Sequence, residues 1–141
     1  MLFFHRLKKA FATIYLYHEQ IVDKETTPGV VIINKYNEIK EIIEKPDKPE
    51  ELRIASIPKH KKFTNAGIYI LDQRILNLIP EGFSDFVKDI FPKIINKEKI
   101  YGFQSNCYIR EVGQMHRYLQ VKKEIESGKV KFINQYNSKL K

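Results

Sequence analysis

Tryptophan is absent from this sequence, cysteine occurs once, and glycine and proline number six each in 141 residues. The lone Cys107 excludes an internal disulfide and a cysteine-rich metal site, which fits a reducing, cytoplasmic compartment. Scarce glycine and proline exclude fibrous and low-complexity classes. Long apolar runs are missing too. His5, Arg6, Lys8 and Lys9 interrupt the opening segment before it reaches the length of a signal-peptide core. No stretch approaches the roughly 20 apolar residues that a membrane span needs.

What is present is an ordinary globular composition, 43% hydrophobic and 12% aromatic, of a length that suits one domain, residues 1–141, with a tail over 129–141. Lysine and arginine outnumber aspartate and glutamate 25 to 17, for a formal charge of +8. The basic residues are interleaved with glutamate, and the densest cluster, Lys59 to Lys62, has no aromatic ladder beside it. That pattern predicts a solvated surface and no nucleic-acid partner.

Periodicity predicts a helix over 2–9 and a β-rich strand from Ala12 to Tyr17. Val30–Ile33 and Ile39–Ile43 read as strands of a hairpin punctuated by Asn34 to Asn37. The charged segment 44–62 reads as loop with a helical turn at Pro49 to Arg53. Residues 66–71 read as a strand and 74–79 as a short helix. Ser84 has the chemistry of a helix cap, and Pro92 must end or kink the helix that follows it. Lys99–Phe103 and Cys107–Val112 are strand candidates, and Gln114–Ser127 an amphipathic helix ended by Gly128. Strands alternating with helices give an α/β class. The hairpin excludes a purely parallel sheet and leaves a mixed one, expected to be mainly parallel and flanked by helices.

Six segments in order carry a more specific signal: PGVV at 28–31, EKP at 44–46, NAGIYIL at 65–71, SDFVKDIFP at 84–92, YIREVGQ at 108–114 and HRYLQVKKEIESG at 116–128. Together they resemble the sugar-1-phosphate nucleotidylyltransferases, with a Rossmann-like fold and the C-terminal, sugar-binding part of that family represented here. Mannose-1-phosphate and heptose-1-phosphate guanylyltransferases are the most similar members, and thymidylyl or uridylyl transfer to glucose 1-phosphate is the alternative.

The resemblance implies that a sugar 1-phosphate oxygen attacks the α-phosphorus of a nucleoside triphosphate and that pyrophosphate leaves. Lys45 then has the catalytic part, giving a point charge to the sugar phosphate. Glu44 and Asn65 suit sugar hydroxyls, and Gly29 and Gly67 lack a Cβ that would block close approach. An ionised phosphate needs no general base, consistent with the lack of a nucleophile–base motif. The resemblance also assigns Mg²⁺ to Glu111, where the family usually has aspartate. The extra methylene shifts that carboxylate by about 1 Å, enough to weaken a positioned site about tenfold.

The family's glycine-rich, arginine-containing nucleotide loop is not among these residues. The resemblance therefore implies that the triphosphate binds through a missing N-terminal segment. It further implies that the strands at Val30 and Ala66 lie beside strands from that segment, leaving an edge open to a homo-oligomer or a full-length relative. A catalytically silent sugar-phosphate-binding or regulatory module is the competing function.

Overall fold

The computed structural model describes residues 1–18, 29–44, 48–110 and 112–130. It divides into two compact units, Met1–Asn106 and Cys107–Lys141.

The first unit opens with α1 (Leu2–Lys8), which Lys9 closes in the left-handed conformation at φ 47°. The strand β1 (Ala12–Tyr17) follows, then β2 (Val30–Ile33) and β3 (Ile39–Ile43), with bounds as the sequence pattern predicts. Asn34 builds the hairpin turn: its Oδ1 accepts from Tyr36 N at 2.9 Å and Glu38 N at 3.0 Å, and Asn37 takes φ 66°, a conformation asparagine tolerates. Next come α2 (Lys48–Ser56) and β4 (Lys62–Leu71), the latter beginning four residues before the apolar run that betrays it in the sequence. A 3₁₀ turn covers Gln73–Leu78, a π turn Phe86–Ile90 leads into α3 (Phe91–Ile94), and β5 (Ile100–Gln104) completes the sheet.

The sheet order is β3-β2-β4-β1-β5. It is mixed, as expected, but among the described strands its balance is antiparallel. The pair β1–β5 runs parallel, whereas β1–β4, β2–β4 and β2–β3 run antiparallel. The short Asn34 turn accounts for one of these pairs, β2–β3, because it can join only antiparallel neighbours. Nor is β2 an edge, as the resemblance implied: it is flanked by β3 and β4. β4 is also internal, meeting β2 through Lys62–Thr64 and β1 on its other side.

Ile14, Leu16, Val31, Ile39, Ile75, Ile90, Phe91 and Ile100 are fully buried around this sheet. β1 is buried at four of the five positions from Ala12 to Leu16, Tyr15 being the exception, the reading of a central strand covered on both faces. α1 is tied to the sheet by the Phe4 ring against Tyr101 and Phe103, and by His5 Nδ1 at 2.9 Å from Thr13 Oγ1.

Two local expectations are corrected. The cap before the π turn is Asp85, not Ser84: one Asp85 oxygen accepts from Val87 N at 2.7 Å and Lys88 N at 3.0 Å, while Asp89 accepts from Asp85 N at 2.7 Å. A carboxylate can serve two amides at once and is favoured by the helix dipole. Pro92 falls in the first turn of α3, where its missing N–H costs nothing, and the wide turn ahead of it absorbs the irregularity.

In the second unit Cys107–Arg110 and Val112 are not in a strand; the regular element is α4 (Met115–Glu126) with Ser127 as its C-cap. Instead of ladder bonds, side chains hold the segment. The almost fully buried Glu124 carboxylate accepts from Tyr108 and from Lys129 Nζ at 2.9 Å, with Arg110 Nε 3.7 Å away. These donors hold its pKa down to about 2, the Tyr108 hydroxyl contributing most.

Candidate functional site

β4 breaks its pairing with β1 in the middle. Ile14 faces Tyr69 and Leu16 faces Asn65, so Tyr15 alone stands opposite Ala66, Gly67 and Ile68. The extra residues bulge outward, a common device for aiming side chains at a site. Gly67 takes φ 71°, which L side chains rarely adopt, and a Cβ there would meet nothing within 4 Å. The glycine therefore serves the backbone turn, with open space above it.

Asn65 braces the bulge. Its Oδ1 accepts from Gly67 N at 2.9 Å and its Nδ2 donates to the Tyr69 hydroxyl at 2.8 Å. Tyr69 is half-buried, its ring packed against Phe86 and Phe91. Burial pushes the phenol above its ordinary pKa, the Asn65 hydrogen bond pulls it back, and the negative charges of Asp85 and Glu44 push it up again. The group stays protonated at neutral pH. Since it accepts from Asn65, its own proton remains available to donate.

Glu44 arrives from the end of β3 and is exposed. A Cβ on Gly29 would stand 2.7 Å from Glu44 Oε2 and 3.3 Å from the Ile43 carbonyl oxygen. What approaches Gly29 closely is thus the Glu44 carboxylate, which lies across the start of β2. The structure brings together Gly29 with Glu44, and Asn65 with Gly67. Asn65 is joined to Tyr69 as well, through its Nδ2. Lys45 and Glu111 lie outside the described residues.

Tyr69 and Asp85 join the candidate set from the structure. In the sequence Tyr69 reads as one of several apolar strand residues and Asp85 as a neighbour of the expected cap. The alternation of NAGIYIL was the one available signal, and the bulge at Gly67 scrambles it.

Among the described residues no three histidine, cysteine, aspartate or glutamate side chains gather as a metal site. Mg²⁺ differs from zinc in this respect: it is ordinarily held by one or two carboxylates together with substrate phosphates and water. No helix among the described residues is long and apolar enough to cross a membrane.

Known proteins are similar to this chain along most of its length. Glucose-1-phosphate adenylyltransferase from Thermosipho africanus is 27% identical over 132 residues, covering 89% of this chain and 29% of that protein. Mannose-1-phosphate guanyltransferase from Schizosaccharomyces pombe is 30% identical over 118 residues, covering 82% of this chain and 29% of that protein. The chain thus spans less than a third of the length of these relatives. Among solved structures, HddC from Yersinia pseudotuberculosis superposes with a TM-score of 0.60 at 19% identity, over 88% of this chain and 48% of that one. The same protein complexed with GMP-PN gives a TM-score of 0.59. At this identity the likeness establishes the fold. The profile of the family described as nucleotidyl transferase matches residues 1–128, nearly the whole of this sequence, and the chain belongs to that family.

Proposed function

We propose that this chain forms the sugar 1-phosphate side of a sugar-1-phosphate nucleotidyltransferase, one that transfers GMP from GTP to mannose 1-phosphate or a heptose 1-phosphate and releases pyrophosphate. The observation that carries the reading is the open backbone bulge at Gly67, braced by Asn65, which also donates to the Tyr69 hydroxyl. Carboxylates, an amide and a protonated phenol are the mixed acceptors and donors that a sugar's hydroxyls require.

In this reading Lys45, the next residue after Glu44, gives its charge to the sugar phosphate. The chain's task is to orient an anion that is already a nucleophile, so positioning and charge balance supply the catalysis. Mg²⁺ held at Glu111 would neutralise phosphate charge. The triphosphate is bound by a glycine-rich segment not found in these 141 residues, contributed elsewhere in the polypeptide or by a full-length relative or partner copy, in the cytoplasm.

The guanyltransferase from Schizosaccharomyces pombe supports the GDP-sugar reading. The adenylyltransferase from Thermosipho africanus supports a second one, AMP transfer to glucose 1-phosphate. Calorimetric titration with mannose 1-phosphate and with glucose 1-phosphate separates them by the tighter ligand. Lys45→Ala should weaken the preferred sugar phosphate about tenfold or more, as expected for a lost charged contact. Equal binding by the variant would remove Lys45 from the site. Failure of the wild-type chain to bind either sugar phosphate would overturn the reading.

A further inference from the structure

The outer strands of the sheet are β3 at one end and β5 at the other. The tip of the β2–β3 hairpin nevertheless reaches round to β5. Glu38 forms an antiparallel bridge with Tyr101. The Asn37 carbonyl oxygen accepts from Gly102 N at 2.8 Å, and Asn37 Oδ1 accepts from Gln104 Nε2 at 2.7 Å. Gly102 permits the approach, since a Cβ there would stand 3.3 Å from Ile33 Cγ2 of the hairpin. Lys99 O and Ser105 N bond to β1, so by the alternation of a strand the backbone groups of Ile100, Gly102 and Gln104 face outward. The hairpin tip sits on the middle of that row.

We propose that the hairpin tip is a strap that occupies the outer edge of β5 and thereby keeps that edge from pairing with a second copy of this chain. The edge it covers is self-complementary. Residues Ile100–Gln104 carry no charge and no proline, the features that ordinarily blunt an edge, although the chain as a whole carries +8. Antiparallel pairing centred on Gly102 sets Gly102 against Gly102, Ile100 against Gln104 and Tyr101 against Phe103. The outward backbone groups then meet their counterparts, with an aromatic pair on each side of a two-fold axis. In that pairing the Gly102 N–H passes from Asn37 to the Gly102 carbonyl of the copy. Strap and second copy compete for one donor, and the closed strap blocks the pairing.

The test combines sedimentation over a concentration series with amide hydrogen exchange at Gly102, on the full chain. Asn37→Gly with Gln104→Ala removes the side-chain bond, while glycine keeps the φ of 66° that the turn requires. Losing one hydrogen bond should raise the open population about fivefold, read as faster Gly102 exchange at high dilution. One dimer needs two open straps, so the variant should dimerise about 25-fold more tightly than wild type. Gly102 protection should return as the dimer forms. Asn37→Gly with Gln104→Lys opens the strap in the same way but puts a cation on the bared edge of an already basic chain. It should show the faster exchange at every concentration and sediment as wild type does. A chain that had merely lost its fold would instead aggregate with either residue at 104.

Unchanged Gly102 exchange in the alanine variant would show that Asn37 and Gln104 do not hold the strap, and would overturn the proposal. So would a variant with fast exchange that stays monomeric, because the bared edge would then have no affinity for itself. Equal association by the lysine variant, or by wild type, would place the contact on another surface and overturn it too.

Discussion

On β5, a Cβ at Gly102 would stand 2.2 Å from Leu16 Cδ1 and 3.3 Å from Ile33 Cγ2; on β4, across β1, a Cβ at Gly67 would meet nothing within 4 Å. The first glycine is enclosed by fully buried Leu16 and its neighbours, and it is glycine because the core leaves no room. The second is exposed and is glycine because its φ of 71° suits no ordinary L side chain. The two flanks of one strand thus spend the same residue differently, one on packing density and the other on the shape of an open site.

Substitution at each flank can break this contrast. Gly102→Ala should have the largest effect on stability. It forces Leu16 from its place in a dense core, at a cost of about 1–3 kcal/mol, readable as a lower urea midpoint. Shortening the obstructing side chain, Gly102→Ala with Leu16→Val, should recover part of the loss. A Gly102→Ala chain as stable as wild type would mean that the core yields more easily than its packing implies.

Gly67→Ala should cost less, about 1–2 kcal/mol, since it pays for backbone conformation without a clash. Gly67→Asn should cost less again, because asparagine tolerates the left-handed region, as Asn37 already does at φ 66°. If alanine and asparagine were equally destabilising at 67, a steric cause would replace the conformational one.

Of the three glycine substitutions, Gly29→Ala should affect stability least and binding most. The nearest obstacle to its Cβ is the end of the flexible Glu44 side chain, which can swing away. Sugar 1-phosphate affinity measured by calorimetry should fall while the urea midpoint changes little. A midpoint shift as large as that of Gly102→Ala would place Gly29 among the packing glycines.

The acid limb of stability should show the smallest effect, and the second unit provides it. Glu124 has a folded pKa of about 2, below its ordinary 4.5, so its contribution is present above the unfolded value and fades as pH falls toward about 2. Asp72, held near 2 chiefly by the Arg74 side chain, acts in the same direction in the first unit. Helicity followed by circular dichroism should be flat from pH 7 to about 5 and decline below that. In Glu124→Gln the acid-dependent part belonging to α4 should vanish. Retention of the full wild-type acid response by that variant would remove Glu124 as its source.

The sequence by itself determined the local elements whose signals are short-range. β1, β2 and β3 follow from β-branched runs between polar punctuation, their hairpin from Asn34 and Asn37, and the family from six motifs in order. Cap identity was harder, because Ser84 and Asp85 have equivalent chemistry one residue apart, and the choice depends on where the chain enters the turn. Cys107–Val112 has the composition of a strand, but Tyr108 and Arg110 within it are turned to Glu124, a side chain more than ten positions away whose role no local pattern announces.

Tertiary structure alone decided sheet order, since which strand neighbours which depends on contacts distant in sequence. It also decided the use of each glycine: an empty Cβ position is identical in the sequence whether Leu16, the Glu44 carboxylate or open solvent lies beyond it. Only the register of β4 against β1 turns Asn65 from a free amide into a brace for Gly67 and Tyr69, because a bulge is a relation between two strands.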